Sequence, residues 1–389
     1  MNRPLREKIA CVIQRMRRMW NASRSKVRFV AFSTGKDSLA MMAMLYEAVE
    51  SENEEPVCLY SHHNLEFPEN LHYLETIRKH GFQIETVRPF LGYFDLMRRG
   101  IGFLTLYDPW CVPMLVGTGF LEWLQNRNLS SPRDAVMFRG MTGSEYGKKY
   151  HAEFETYRRL DLPCFNPMLG FTRDEIVQIV RERYGLPLNP LYAHMDRSYC
   201  ICCYTGDRRR QQYSHRRFPG VCRRYYDQID AMLFKSGLLR KHHPNSEYAN
   251  REEKIDRHGF VFWRRVRSQD QVGALKERSS KGFTRYWIRD ERWINEKHLL
   301  PVDGHWARVG SEIRFWGIQE SKTDALVKRM INCMDCGYCI LQCFRHRRFN
   351  RKTKRLNIEG CAGCGKCISL KHCMGWKHRF WRRTLYDKP

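Results

Sequence analysis

No run of apolar residues in this sequence approaches the length that a helix needs to cross a bilayer, so no spanning segment is expected. The opening residues lack the short apolar stretch of a secretory signal, and a cytoplasmic, reducing setting is the expectation. Acidic residues are in short supply: 42 Asp and Glu stand against 68 Lys and Arg, for a formal net charge of +26. Such an excess sets up a field for polyanions, which puts nucleic acid first among expected partners; a merely soluble basic protein stays open. Internal repeats are absent apart from two cysteine quartets near the C-terminus. With 42% hydrophobic residues over 389 positions, the chain can build genuine cores in two or three domains.

Residues 3–20 read as a basic amphipathic helix with Leu5, Ile9, Val12, Ile13, Met16 and Trp20 near one face. A surface helix packing on the first domain and a mitochondrial address are the two readings of it.

The most informative stretch is Phe32-Ser33-Thr34-Gly35-Lys36-Asp37-Ser38. An apolar strand signal, Val27–Phe32, precedes it and a helix signal follows it. A strand, a tight polar loop and a helix gather free backbone N–H groups at the positive end of a helix dipole, which is an anion site. Gly35 allows close approach to a phosphate, Ser33 and Ser38 add hydroxyls, Lys36 adds charge, and Asp37 offers a carboxylate to Mg2+. No glycine sits five residues before Gly35, which rules out the Walker pattern. The run resembles the PP-loop, Ser-Gly-Gly-x-Asp-Ser, of the ATP pyrophosphatases, with Thr34 in place of the first glycine.

Residues 25 to about 190 alternate strand and helix signals: strands at Val27–Phe32, Pro56–Tyr60, Gln83–Val87 and Ala135–Arg139, helices at 38–50, 69–80, 113–127 and 172–184. That alternation predicts an α/β fold, a doubly wound parallel sheet with its site at the carboxyl ends of the strands. The expected organisation is the helix at 1–24, a nucleotide-binding domain with a Cys-rich segment at 25–245, a small mixed or β-rich domain at 246–320, and a cysteine-rich module at 321–389. Aromatic residues interleave with cations in Phe260-Val261-Phe262-Trp263-Arg264-Arg265 and near Tyr286-Trp287. Stacking faces for unpaired bases and the core of a small domain are the two readings of these.

Of sixteen cysteines, eight fall in the last sixty residues, at spacings unlike a secreted disulfide scaffold. Cys333, Cys336, Cys339 and Cys343 are spaced C-x2-C-x2-C-x3-C; Cys361, Cys364 and Cys367 repeat the first part, and Cys373 follows. Three thiolates from one tight loop suit a cubane face. If the quartets exchange their last cysteines, as in two-cluster ferredoxins, one [4Fe–4S] centre takes Cys333, Cys336, Cys339 and Cys373. The other takes Cys361, Cys364, Cys367 and Cys343. The proline that usually follows the fourth cysteine is missing, with Phe344 and Met374 in those places, and two all-thiolate zinc sites are the rival.

A third thiolate set is Cys111, Cys200, Cys203 and Cys222, with Cys202 beside it. Along residues 25 to about 225, several further segments appear in order: Phe67-Pro68-Glu69-Asn70, Trp110-Cys111, Arg139-Gly140-Met141-Thr142-Gly143-Ser144-Glu145, Asn166-Pro167-Met168, Asn189-Pro190-Leu191-Tyr192 and Arg197. With the loop at 33–38, this ordered set resembles the phosphoadenosine phosphosulfate reductase family of the PP-loop superfamily, and the C-terminal module resembles a fused ferredoxin. The resemblance implies an adenine-nucleotide alpha-hydrolase-like fold, with Ser33 to Ser38, Arg139, Gly140 and Arg197 at the nucleotide. It also implies a third [4Fe–4S] cluster on Cys111, Cys200 and Cys203, for which zinc or free thiols are the alternatives. His62, His63 and Asn64 occupy the stretch where the family carries an acidic residue.

Two chemistries follow from the resemblance. An ATP pyrophosphatase would use Lys36 and Asp37 with Mg2+ to adenylate an acceptor, tRNA or another nucleic acid. A sulfur nucleophile, for which a cluster-bound sulfide is a natural source, would then displace AMP. A sulfonucleotide reductase would instead release sulfite, fed with electrons by the tail or by a donor protein. The retained Lys36-Asp37 pair and the absence of a Glu-Cys-Gly triplet favour the first. A non-enzymatic iron–sulfur protein that binds nucleic acid is a third reading.

Overall fold

The computed structural model describes residues 1–52, 54–101, 104, 109–143, 152–198, 200–203, 208–236, 278–280, 283–288, 291, 294–302, 304–361, 368 and 373. The run Phe260–Arg265, along with Asp108, Ser144, Glu145, Cys364 and Cys367, lies outside the described residues. Two compact units form, one from residues 1–89 and 115–217, the other from 90–114 and 218–389.

In the first unit, α1 (Arg3–Ala22) begins at Asn2, whose side chain accepts from the Leu5 amide at 3.0 Å. It buries Leu5, Ile9, Val12, Ile13, Met16 and Trp20, which recur at helical spacing and seal one stripe against the core. Strand β1 (Val27–Phe32) leads into α2 (Lys36–Val49), which is buried on almost every side. β2 (Cys58–Ser61), α3 (Pro68–Lys79) and β3 (Ile84–Val87) follow. The strand begins at Cys58 rather than Pro56, since proline has no amide to give a ladder while Cys58 donates to the Gln83 carbonyl at 3.0 Å. After residues 90–114, which carry α4 (Tyr93–Arg98) in the second unit, come α5 (Thr118–Asn126) and β4 (Ala135–Arg139). β5 (Phe154–Tyr157) and β6 (Leu162–Phe165) complete the sheet.

The strand order is β3-β2-β1-β4-β6-β5. Five strands are parallel, and β5 runs antiparallel to β6 at the edge. β1 sits mid-sheet, with Val30 opposite Cys58 and Ala31 opposite Arg139. Its side chains alternate between two helical layers. Val30 and Phe32 join the core shared with α1 and α2, whereas Phe29 meets Phe120 and Trp123 of α5 at 5.6 and 5.4 Å. Two expected helices are split by wider turns: Val112–Gly117 precedes α5, and Ile179–Arg183 follows the helix Arg173–Gln178.

The second unit contains β7 (Arg278–Ser280), β8 (Phe283–Trp287), β9 (Trp306–Val309) and β10 (Glu312–Trp316), which form a four-stranded antiparallel sheet ordered β7-β8-β10-β9. The helix Glu320–Asn332 packs Leu326, Val327, Met330 and Ile331 onto Tyr286, Ile313 and Phe315. Downstream lie a short helical turn, Tyr338–Gln342, and the hairpin β11 (Arg347–Asn350) and β12 (Arg355–Ile358). Residues 90–114 belong with this region. Phe90 stacks on Phe349 at 4.7 Å, and Arg99 donates to the carbonyls of Met334 (3.0 Å) and Lys354 (2.8 Å).

Candidate functional site

The loop 33–38 stands at the carboxyl end of β1, where parallel sheets place their sites. Thr34 takes a left-handed conformation, φ 61°, at the position where the PP-loop has glycine. A threonine there costs on the order of 1 kcal/mol, and such strain persists only when surrounding bonds fix it. Asn70 and Asn189 supply those bonds. The buried Thr34 hydroxyl donates to Asn70 Oδ1 at 3.0 Å, and Asn189 Nδ2 donates to the Thr34 carbonyl at 3.2 Å.

Gly35 precedes α2 in extended conformation, and a Cβ there would sit 3.3 Å from Ser33 Oγ and 3.5 Å from both Ser198 Oγ and Tyr192 Oη. The Lys36 amide donates to Tyr192 Oη at 2.9 Å. Ser38 Oγ accepts from the Ser33 amide at 3.2 Å and lies 3.0 Å from Ser33 Oγ. Lys36 and Asp37 are both buried and pair with each other, Nζ to Oδ2, at 2.9 Å. Away from solvent such a pair is held by mutual attraction, so a guest that engages one member must also compensate the other. A triphosphate with Mg2+ brings both charges. The Asp37 carboxylate is a hard oxygen donor suited to that ion.

Gly140 has a steric reason. Its Cβ would fall 2.5 Å from the Asp37 carbonyl oxygen and 2.6 Å from Ser38 Cα, so only glycine lets the segment after β4 lie against the head of α2. Arg139 is engaged elsewhere: it donates to Asn166 Oδ1 at 2.9 Å and pairs with Glu155 of the edge strand. Arg197 falls in the bend between Tyr192 and Cys200.

Cys200 lies with its Sγ 3.4 Å from His63 Nε2. Glu66 faces His62 Nδ1 at 3.4 Å and His63 Nδ1 at 3.6 Å. Burial holds His63 below its ordinary pKa, against the opposing pull of Glu66. Cys200 and Cys203 belong to the first unit, Cys111 and Cys222 to the second. An open cleft in the first unit is lined by His194, Gln212, Tyr213, Arg216 and Arg217, with the His194 and Tyr213 rings stacked at 5.1 Å.

In the second unit one cavity is lined by Cys333, Cys336, Cys339 and Cys373, together with His298, Arg329 and Asp335. These are the four cysteines that the exchange of last ligands assigns to a single centre. Cys343 stands outside the cavity lining, and Cys361 is exposed. Burial pushes the Cys333 thiol up to about 12, and it raises Cys336 as well, with Cys339 adding to the effect. Among the described residues no three His, Cys, Asp or Glu side chains converge on one metal ion. Four thiols around one cavity are a donor set that fits a four-iron cubane, one thiolate to each iron.

Several contributors sit in short sequence runs that do not by themselves assign a role. Asn70, Asn189 and Tyr192 carry the loop, and their signal was the neighbouring Pro68 and Pro190, which mark turns entering helical segments. Glu155 and His298 carry no motif.

No protein-family model matches the chain, and no curated protein matches it. Solved structures do. Phosphoadenylyl-sulfate reductase from Candida auris, in a phosphate complex, aligns at TM-score 0.34 and 9% identity over 46% of this chain and 83% of that one. Candida glabrata FMN adenylyltransferase with FMN and an ATP analogue aligns at 0.36 and 12%, over 49% and 60%. The U34-tRNA thiolase NcsA from Methanococcus maripaludis, with its [4Fe–4S] cluster, aligns at 0.32 and 14%, over 70% and 86%. All three similarities are distant.

Proposed function

We propose that this chain is an ATP-dependent enzyme of the PP-loop kind, which adenylates an acceptor, tRNA or another nucleic acid, for sulfur transfer. The observation that carries the proposal is the buried Lys36–Asp37 pair at the head of α2, on a loop whose Thr34 is held in a glycine-like conformation. An acceptor oxygen attacks the α-phosphorus, the new P–O bond forms, and pyrophosphate leaves; a sulfur nucleophile then takes the carbon and AMP departs. Lys36 and the positive end of α2 stabilise charge as it moves onto the leaving oxygens. Asp37 would hold Mg2+, which supplies further neutralisation of the phosphates when bound. Arg216 and Arg217, beside the stacked His194 and Tyr213, suit a backbone phosphate and an unpaired base.

A second reading, sulfonucleotide reduction, draws support from the four-thiol cavity in the second unit, because a centre there would carry electrons. Anaerobic incubation with α-labelled ATP separates the two. Pyrophosphate release stimulated by tRNA is the expected result. Sulfite release from adenylylated sulfate, without ATP consumption, gives the answer to the second reading instead.

A further inference from the structure

His298 closes the short helical turn Glu296–His298 and is only 2% exposed. Neither of its ring nitrogens has a hydrogen-bond partner among the described residues. Leaving a buried polar group unmatched is costly, and folded chains seldom leave two on one side chain. The ring lines the cavity that holds the thiols of Cys333, Cys336, Cys339 and Cys373. Arg329 lines it too, and Arg329 and Arg347 are buried guanidiniums close enough to act on the ring. A buried donor and buried cations beside four thiols describe a chamber for an anionic guest rich in sulfur acceptors.

We propose that His298 donates a ring N–H to a sulfur of the iron–sulfur centre held by Cys333, Cys336, Cys339 and Cys373, and that this bond sets how readily the centre accepts an electron. The inference rests on reading those cysteines as one [4Fe–4S] site, and is independent of the nucleotide chemistry. The four thiols already complete the ligand set, so the imidazole acts as an outer partner and positions charge. A donor at sulfur stabilises the reduced, more negative level more than the oxidised one. Losing the donor therefore moves the midpoint potential downward.

The test uses the full chain, purified without oxygen, as wild type, His298→Leu and His298→Gln. Iron and sulfide per chain should be equal in all three. The reduction potential of one centre should fall in His298→Leu and return toward wild type in His298→Gln, whose amide restores an N–H. Equal potentials in wild type and His298→Leu would overturn the proposal, as would iron loss in both variants, which would make His298 a ligand. Should the variants fold poorly, spin-echo spectra of reduced wild-type protein labelled with 15N only in histidine should show a weak nitrogen coupling, and its absence is equally decisive against. Wild-type protein without iron or sulfide would sink the cluster reading itself, a result distinct from a cluster indifferent to His298.

Discussion

Asn189 Nδ2 donates to Asn70 Oδ1 across 2.7 Å, joining residues 119 apart in sequence directly beneath Thr34. Both amides are buried, and each also bonds to Thr34. The strained turn is thereby held from two sides. Asn70→Ala would remove the acceptor that ties the two together: the Thr34 hydroxyl keeps the Ser33 carbonyl and the Asn189 amide keeps the Thr34 carbonyl, but one buried Asn189 N–H is left unmatched, at a cost of about 1–3 kcal/mol. We expect a lower thermal midpoint and a weaker ATP titration together. An unchanged melting curve would show that the turn holds itself.

Gly140→Ala should be costly in the same place. A methyl 2.5 Å from the Asp37 carbonyl must push α2 or the segment after β4 aside, which overpacking data put at about 1–3 kcal/mol. Gly92→Ala is the control, since nothing lies within 4 Å of its added carbon. Denaturant melts of the two variants should separate clearly; equal midpoints would refute the steric role.

Asp37→Ala removes one member of a buried charge pair and the carboxylate offered to Mg2+. Pyrophosphate release should drop by about 10²-fold or more, with iron content unaltered. Wild-type turnover in this variant would take Asp37 out of the mechanism.

Cys336→Ser alters a buried thiol of the four that line the cavity. Iron per chain should fall while nucleotide affinity, measured by calorimetry, stays constant. Unaltered iron would defeat the ligand assignment.

Ile9→Ala probes α1. The residue is fully buried, so the variant should lose about 2–5 kcal/mol of stability in the first unit. A loss below about 0.5 kcal/mol would mean that the helix is only loosely held.

The parts of this fold that could be read in advance were those governed by periodicity. The six apolar residues of α1 fall along one helical stripe and all are buried, and β1 and β4 have the bounds that their apolar runs indicate. β5 escaped notice because Phe-Glu-Thr-Tyr is short, and as an edge strand it leaves Phe154 more than half exposed. The loop could be read because Gly35-Lys36-Asp37-Ser38 is contiguous. Its supports lie in the short runs Phe67–Asn70 and Asn189–Tyr192, yet Asn70, Asn189 and Tyr192 meet Thr34 and Lys36 only through tertiary folding, so the runs show the residues without showing what they hold. The same holds for His298, whose importance lies wholly in its surroundings.

Residues 90–114 interrupt the first unit, yet they provide the floor for chain more than two hundred positions later, through Phe90 on Phe349 and Arg99 on the carbonyls of Met334 and Lys354. During translation that floor emerges well before residues 334–354, which it meets, leave the ribosome. A message cut short after residue 217 would therefore yield a chain with an uncovered aromatic ring and an idle guanidinium, a natural handle for chaperones and proteases.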